Sequence, residues 1–485
     1  MKNIIKKYHN LPVQIKASLW FVFAAFLQKA ISAISTPVFT RIMNTAQYGE
    51  YNVFNSWMSI INCFVTLNLY NGFYTQGLVK FDKNKRIFSS SLQGLTLILT
   101  IVFLGIYLLF HQLFNVLFSL NTAEMLCMFI LIWTAACFYF WAVEQRVSLK
   151  YKNLVFITVL SSLINPSLGI WMVINSKNKV LARILSTVIV SVCFYPILAI
   201  FQLKRGKKFY SKEYWKYALT FSIPLIPHYL SQMILNSSDR IMIQKMVSNS
   251  AAGIYSLAYS IAQIMMLFNT SLLQTIEPWI CQKIRDKETH KIERIAYPSF
   301  ILIGLLNLFL IMFAPEIIKL FAPSSYYDAI WVIPPISMSV YFMFTYSFFV
   351  LFEFYFEKPN YITTATIIGA VLNVILNYIF IRIFGYYAAG YTTLLCYIVY
   401  SCLHYFFMTK ICKKELDGIH VYSLRKLIII STILLCLSLV IMMSYTNNMV
   451  RYFIIVLMFI ILFINKNKII SMINMLQNIK NTKDS

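Results

Sequence analysis

Apolar runs, most of them close to twenty residues long, recur fourteen times along this chain, broken by polar links too short to fold alone. About 20 residues rising ~1.5 Å each cross the hydrocarbon core of a bilayer, so each run reads as a membrane-spanning helix. The predicted spans are 18–39, 52–71, 89–110, 124–144, 154–174, 181–202, 217–238, 254–275, 296–314, 329–352, 361–381, 388–409, 427–444 and 451–465.

Polar positions inside four of these runs also keep a helical period. The second span carries Asn52, Asn55, Ser56, Ser59, Asn62 and Thr66, and the eighth carries Ser256, Ser260, Gln263, Thr270, Gln274 and Glu277. The first has Gln28, Lys29, Ser32, Ser35 and Thr36, and the seventh has His228, Ser231, Gln232, Asn236 and Asp239. Steps of three and four place each set on one face. Unpaired polar groups are costly in hydrocarbon, so these faces are predicted to turn toward one another or toward water. A single Ser or Thr reads as interhelical hydrogen-bond glue. Four whole stripes read as the walls of a hydrated cavity, with Lys29, Gln28, Ser32, Asn55, Ser59, Asn62, His228, Gln232 and Gln263 as candidate lining residues.

Lys29 is the sharpest of them. It lies about ten residues from either end of its span, where a Lys costs roughly 2.5–3.5 kcal/mol on insertion scales. Either a counter-charge, with Asp239 or Glu277 as candidates, or an anionic ligand must offset that. Asp239, Arg240 and Glu277 fall near helix ends, where water reaches them and an Asp239–Arg240 pair can form at the interface. His228 sits beside Pro224 and Pro227, so it either titrates or satisfies carbonyls freed by a helix break. The prolines at 37, 166, 224, 227, 334 and 335 predict bends.

A shift of 204 residues lays the first helix pair on the seventh and eighth without a gap. Gln28 then meets Gln232, Ser32 meets Asn236, Ser35 meets Asp239, Arg41 meets Lys245, and Gly49-x-Tyr51 meets Gly253-x-Tyr255. The shift spans six helices, so both copies enter the membrane in the same direction, the parallel repeat known from secondary transporters. The predicted fold is an all-α polytopic membrane protein. A bundle at 1–204 and a second at 205–412 are followed by an added helix pair and basic tail at 413–485.

Composition agrees: 59% of residues are hydrophobic, and mean hydropathy is +0.68. The net charge of +25 would suit a nucleic-acid binder, but its placement does not. Of 42 Lys and Arg, 32 fall in one alternating set of links and 8 in the other, counting with it Arg451 at the edge of the last span, and Lys29 and Arg183 lie inside spans. That bias is the positive-inside rule; it predicts both termini in the cytoplasm and excludes nucleic acid as the partner. Met1–Lys16 is polar and basic and predicts no cleaved signal. The nine cysteines form no CxxC or zinc spacing and read as buried apolar side chains. No phosphate loop, HExxH or nucleophile elbow appears, and no link is long enough for a sugar-joining domain, so the chain reads as a non-enzyme.

Several segments carry a family resemblance. They are Pro37-Val-Phe-Thr-Arg41 with Tyr48-Gly-Glu-Tyr51, Ser222-Ile-Pro-Leu-Ile-Pro-His228 leading to Asp239-Arg240, and Ala252-Gly-Ile-Tyr-Ser256. Glu357-Lys-Pro359 leading to Gly369-Ala-Val-Leu-Asn373-Val-Ile-Leu-Asn377 completes the set. With these the chain resembles Wzx-type polysaccharide repeat-unit flippases, in the polysaccharide transport family of the multidrug/oligosaccharidyl-lipid/polysaccharide (MOP) exporter superfamily. Ala388-Ala-Gly390 departs from the expected Gly-Ala-Ala, a change in packing. The resemblance implies a MATE-like V of two six-helix bundles in the bacterial plasma (inner) membrane, working by alternating access. Its cargo would be an undecaprenyl-pyrophosphate-linked oligosaccharide for O-antigen or capsule, with polysaccharide polymerase and assembly proteins as partners. Lys29 would hold the pyrophosphate or an acidic sugar, with Arg41 or Lys245 near the outer exit and the lipid tail near the last helix pair. No cofactor is implied. H+ or Na+ coupling stays open, with Asp239, Glu277 and His228 as candidates. Three other readings remain: exporter of another lipid-linked glycan (a peptidoglycan precursor or teichoic-type polymer), cation-coupled small-molecule antiporter, and polysaccharide polymerase or ligase.

Overall fold

The computed structural model describes residues 12–467, and all regular structure among them is helical. Most of the expected basic N-terminus and the tail from residue 468 lie outside the described residues. Among the described residues twelve helices are long and apolar enough to cross a membrane. They are α1 (Val13–Ile42), α3 (Asp82–Leu109), α4 (Thr122–Val147), α5 (Tyr151–Ile174), α6 (Lys179–Gly206), α7 (Lys212–Met246), α8 (Asn249–Arg285), α9 (His290–Met312), α10 (Ile333–Tyr355), α11 (Pro359–Phe384), α12 (Tyr387–Glu415) and α13 (Leu424–Thr446). Two more complete the fourteen. The polar stripe keeps α2 (Thr45–Thr66) below that apolarity, and α14 (Asn448–Ile464) is only 17 residues long.

Local chemistry sets boundaries that hydropathy misses. Helix α2 starts seven residues before the expected 52 because Asn44 caps it. Asn44 Oδ1 accepts from the Gln47 amide at 2.8 Å, and Gln47 Oε1 accepts from the Asn44 amide at 3.1 Å. It stops at Thr66, since Leu67 and Asn68 adopt left-handed φ of 49° and 51°. Pro334 and Pro335 do not bend a span: they occupy the first turn of α10, where a missing N–H costs nothing. The α8 span breaks at Gln263–Ile264, between helices Asn249–Ala262 and Met265–Arg285.

The chain divides into two compact units, Met1–Ser237 and Ser238–Ser485. Residues 205–237, which the sequence groups with the second bundle, pack in the first unit. Trp215 Nε1 donates to the Ser91 carbonyl at 2.8 Å, and Tyr214 and Ala218 join a core of Leu69, Tyr74, Phe88 and Phe140. The chain turns tightly into this core at Gly206, where a Cβ would meet the Arg86 carbonyl at 2.3 Å. A buried polar chain crosses the same unit: Gln93 donates to Gln202 at 2.8 Å, and Gln202 donates to Glu144 at 2.5 Å.

In the second unit α10 is the most enclosed of the membrane-crossing helices, with nearly all of its apolar stretch buried. The pair α13–α14 attaches here. Tyr341 and Ser431 share a hydrogen bond at 3.1 Å, Leu434 fills the notch at Gly304, and Tyr445 donates to the Ile311 carbonyl at 2.5 Å. Arg451, 1% exposed, reaches Glu316 at 2.5 Å, while its Nε and Nη1 have no hydrogen-bond partner among the described residues. Lipid tails are as apolar as these side chains, so packing and polar contacts, not water exclusion, hold such helices together. Stranding a buried charge by removing its partner costs ~3–5 kcal/mol, whereas removing the buried cation itself leaves behind a carboxylate whose side chain is 35% exposed and open to hydration. Thermal unfolding of the purified protein should therefore show Glu316→Ala, which strands the buried cation, as clearly more damaging than Arg451→Met. The reverse order would overturn this account of the latch.

Candidate functional site

The first unit holds the polar faces of α1 and α2. Gln28, Lys29 and Ser32 are exposed at the middle of α1. Ser35 and Thr36 donate to the Ser32 carbonyl at 3.0 and 2.9 Å. Ile34, 73% exposed, lies about 140° around the helix from Lys29. No carboxylate of this unit pairs with Lys29 among the described residues. On α2 the donors are spent locally. Asn52, Asn55, Ser56, Ser59 and Thr66 each donate to the carbonyl four residues back at 2.7–3.0 Å, and Asn62 donates to Tyr70 Oη at 2.7 Å. Arg41 is exposed and donates to the Pro37 carbonyl at 2.8 Å. His228 and Gln232 are half-buried on the part of α7 that belongs to this unit.

The unit also contains a cation absent from the sequence-derived candidates. Arg183, half-buried near the start of α6, lies over the Phe39 ring at 4.2 Å and the Tyr51 ring at 5.2 Å. Its Nη1 donates to Asn165 Oδ1 at 2.8 Å and to Ser186 Oγ at 3.2 Å.

The second unit is built around Asp239. The sequence places this carboxylate within reach of water; the structure buries it to 2% exposure, because α7 runs on to Met246 and three further helices, α8, α11 and α12, close over it. Asp239 Oδ1 accepts from Asn377 Nδ2 at 2.6 Å, and Oδ2 accepts from Tyr255 Oη at 2.7 Å and Thr393 Oγ1 at 2.8 Å. A second layer orders Asn377: its amide also reaches Asn373 Oδ1 at 3.1 Å, Thr392 donates to its oxygen, and Ser238 donates to Asn373 at 2.9 Å. The result is one buried carboxylate whose two oxygens accept from an amide N–H and two hydroxyls. Arg240 instead stacks over Tyr259 at 4.2 Å. Lys245 and Glu277 are exposed, and Gln263 sits at the break in α8. In the link between α8 and α9, Glu288 is clasped by Lys283 and Lys291 at 2.5 and 2.6 Å, and these two contacts hold its carboxyl down at about 2.

A further pair reads, along the sequence, as an ordinary loop residue and an ordinary span residue. Glu353 on α10 meets His404 Nδ1 on α12 at 2.7 Å, both with side chains 0% exposed, and Tyr346 and Tyr400 pack against the imidazole. Among the described residues no group of three His, Cys, Asp or Glu could hold a metal ion.

A family model described as a polysaccharide biosynthesis protein matches residues 15–284. Lsg locus putative protein 1 of Haemophilus influenzae is 24% identical over 208 residues, 41% of this chain and 50% of that protein. The chain thus spans about half the length of that curated relative. The probable low-salt glycan biosynthesis flippase Agl15 of Haloferax volcanii is 29% identical over 167 residues, 33% of this chain and 34% of its own length. Among solved structures, the lipid II flippase MurJ in an inward closed conformation superposes with a TM-score of 0.66 at 14% identity, covering 90% of this chain and 100% of that one. An inward-facing MATE family multidrug transporter of the MOP superfamily gives 0.59 at 14% identity, covering 80% and 96%. At such identity the likeness establishes the fold.

Proposed function

The chain belongs to the polysaccharide biosynthesis protein family and has the fold of MOP-superfamily transporters, and from that premise we propose that it is a flippase for a lipid-linked glycan. In the finer reading the cargo is an undecaprenyl-pyrophosphate-linked repeat unit for O-antigen or capsule. It moves from the cytoplasmic to the outer leaflet of the plasma membrane by alternating access, with both termini cytoplasmic. The observation that carries the reading is Lys29, an exposed cation at the centre of a 30-residue membrane helix, beside Gln28 and Ser32. Hydrocarbon does not tolerate that face, whereas a pyrophosphate needs a cation and sugars need amides and hydroxyls. The chain moves its cargo and joins no sugars. Asp239, held ready by Tyr255, Asn377 and Thr393, is the group that takes up H+ or Na+ to drive the cycle.

Deleting the gene and extracting membranes tests this. A complete polyprenyl-linked unit accumulating on the cytoplasmic leaflet is expected. Complete units reaching the outer leaflet unpolymerised would replace the proposal with a polymerase, and unchanged glycans would replace it with a small-molecule antiporter.

A further inference from the structure

We propose that Arg183 and the side chains around it form an anion-recognising subsite of the first unit, for a phosphate or carboxylate borne by a glycan head group. The inference rests on the flippase reading. Three observations carry it. First, Arg183 keeps its charge without a carboxylate. Its hydrogen-bond acceptors are the side-chain and main-chain carbonyls of Asn165 and the Ser186 hydroxyl, its other neighbours are two aromatic faces, and no salt bridge reaches it among the described residues. A guanidinium held by neutral partners alone keeps its full positive charge to offer an anion.

Second, the site is shaped for that guanidinium. Gly169 on α5 stands where a Cβ would meet Arg183 Nη1 at 2.4 Å and Ser186 Oγ at 3.1 Å. Asn165, one turn earlier on α5, fixes Nη1, and Phe39 supports the plane of the fork. Only one edge of the fork is engaged in this way. A planar fork held by one edge offers the other for bidentate contact with a carboxylate or phosphate, and the Tyr51 ring beside it suits the face of a sugar.

Third, the position is useful. Lys179, one turn before Arg183, donates to the Ile42 carbonyl at 2.6 Å and so ties this end of α6 to the end of α1. Phe39 is ten residues beyond Lys29, about 15 Å along the α1 axis. Arg183 is therefore a second cationic station between the mid-membrane lysine and the end of α1 that the charge bias places outside.

The test uses the full-length protein in nanodiscs of zwitterionic lipid, titrated calorimetrically with inorganic pyrophosphate and separately with glucuronate. The wild type is expected to bind at least one of them. Arg183→Gln should weaken that binding by about tenfold or more, and Arg183→Lys, a charge without the fork, should fall between. Loss toward pyrophosphate assigns the station to the lipid linker, and loss toward glucuronate assigns it to an acidic sugar. Gly169→Ala retains every charge but displaces the guanidinium, so it should also weaken binding, and it decides the matter if Arg183→Gln fails to fold. A wild type that binds neither ligand, or a folded Arg183→Gln or Gly169→Ala that binds as the wild type does, overturns the proposal. None of these results alters where the glycan accumulates in the deletion strain, so the two readings fail separately.

Discussion

Lys29→Ala is expected to abolish transport while the protein stays in the membrane at its normal level. The two effects have opposite signs, which makes the test sharp. A lysine at the bilayer centre costs roughly 2.5–3.5 kcal/mol on insertion scales, so its removal should leave insertion unchanged or easier. Nothing in its own unit depends on it, since no carboxylate there pairs with it among the described residues. A structural lysine would behave otherwise, its loss lowering abundance and activity together. Lys29→Arg should keep part of the activity, because the charge persists while its shape changes. Glycan export in a complemented deletion strain, with immunoblotting for protein level, measures both quantities. Full activity of Lys29→Ala would remove this residue from the mechanism.

Asp239 yields the second large effect, and two substitutions divide it. Asp239→Ala strands the Tyr255 and Thr393 hydroxyls and one Asn377 amide hydrogen in a buried site. Each such orphan costs about 1–3 kcal/mol, so several kcal/mol of stability should go, and protein level with them. Asp239→Asn keeps the volume and one acceptor oxygen, so most of the protein should survive. What it loses is the titratable, cation-attracting charge. Transport by Asp239→Asn should therefore no longer respond to a pH or Na+ gradient in reconstituted vesicles. If it still responds as the wild type does, the coupling group lies elsewhere.

Much of this architecture is legible in the amino-acid sequence. Hydropathy alone finds long helices, because backbone amides in lipid must pair within their own segment. Fourteen apolar runs therefore correspond to fourteen helices. Ends are harder. Asn44 and Leu67–Asn68 move α2 by several residues through capping and left-handed backbone, and neither leaves a trace in an apolarity plot. The polar stripe of α2 is visible from its spacing, but its donors are bound to its own carbonyls, which no spacing reveals. Asp239 stands out as a candidate, yet its position near a helix end hides its burial. Its partners come from α8, α11 and α12, as many as 154 residues away along the chain. One clue exists: Asn373 and Asn377 stand one turn apart on an otherwise apolar helix. Arg183 does not stand out, because its importance lies in the missing partner, and an absence of that kind shows only in three dimensions. Glu353 and His404 escape notice for a related reason, as residues 51 apart that only folding makes a pair.

The Arg451–Glu316 contact bears on how the chain is made. Glu316 emerges from the ribosome 135 residues ahead of its partner, after α9 and before α10 to α13 exist. With about a third of its side chain accessible even in the finished protein, the carboxylate can wait hydrated. Arg451 enjoys no such latitude, because its final place is sealed. The cation is therefore drawn into a socket whose opposite charge was laid down long before. A nascent chain halted short of α14 would carry that socket open and be recognisable to membrane quality control as unfinished.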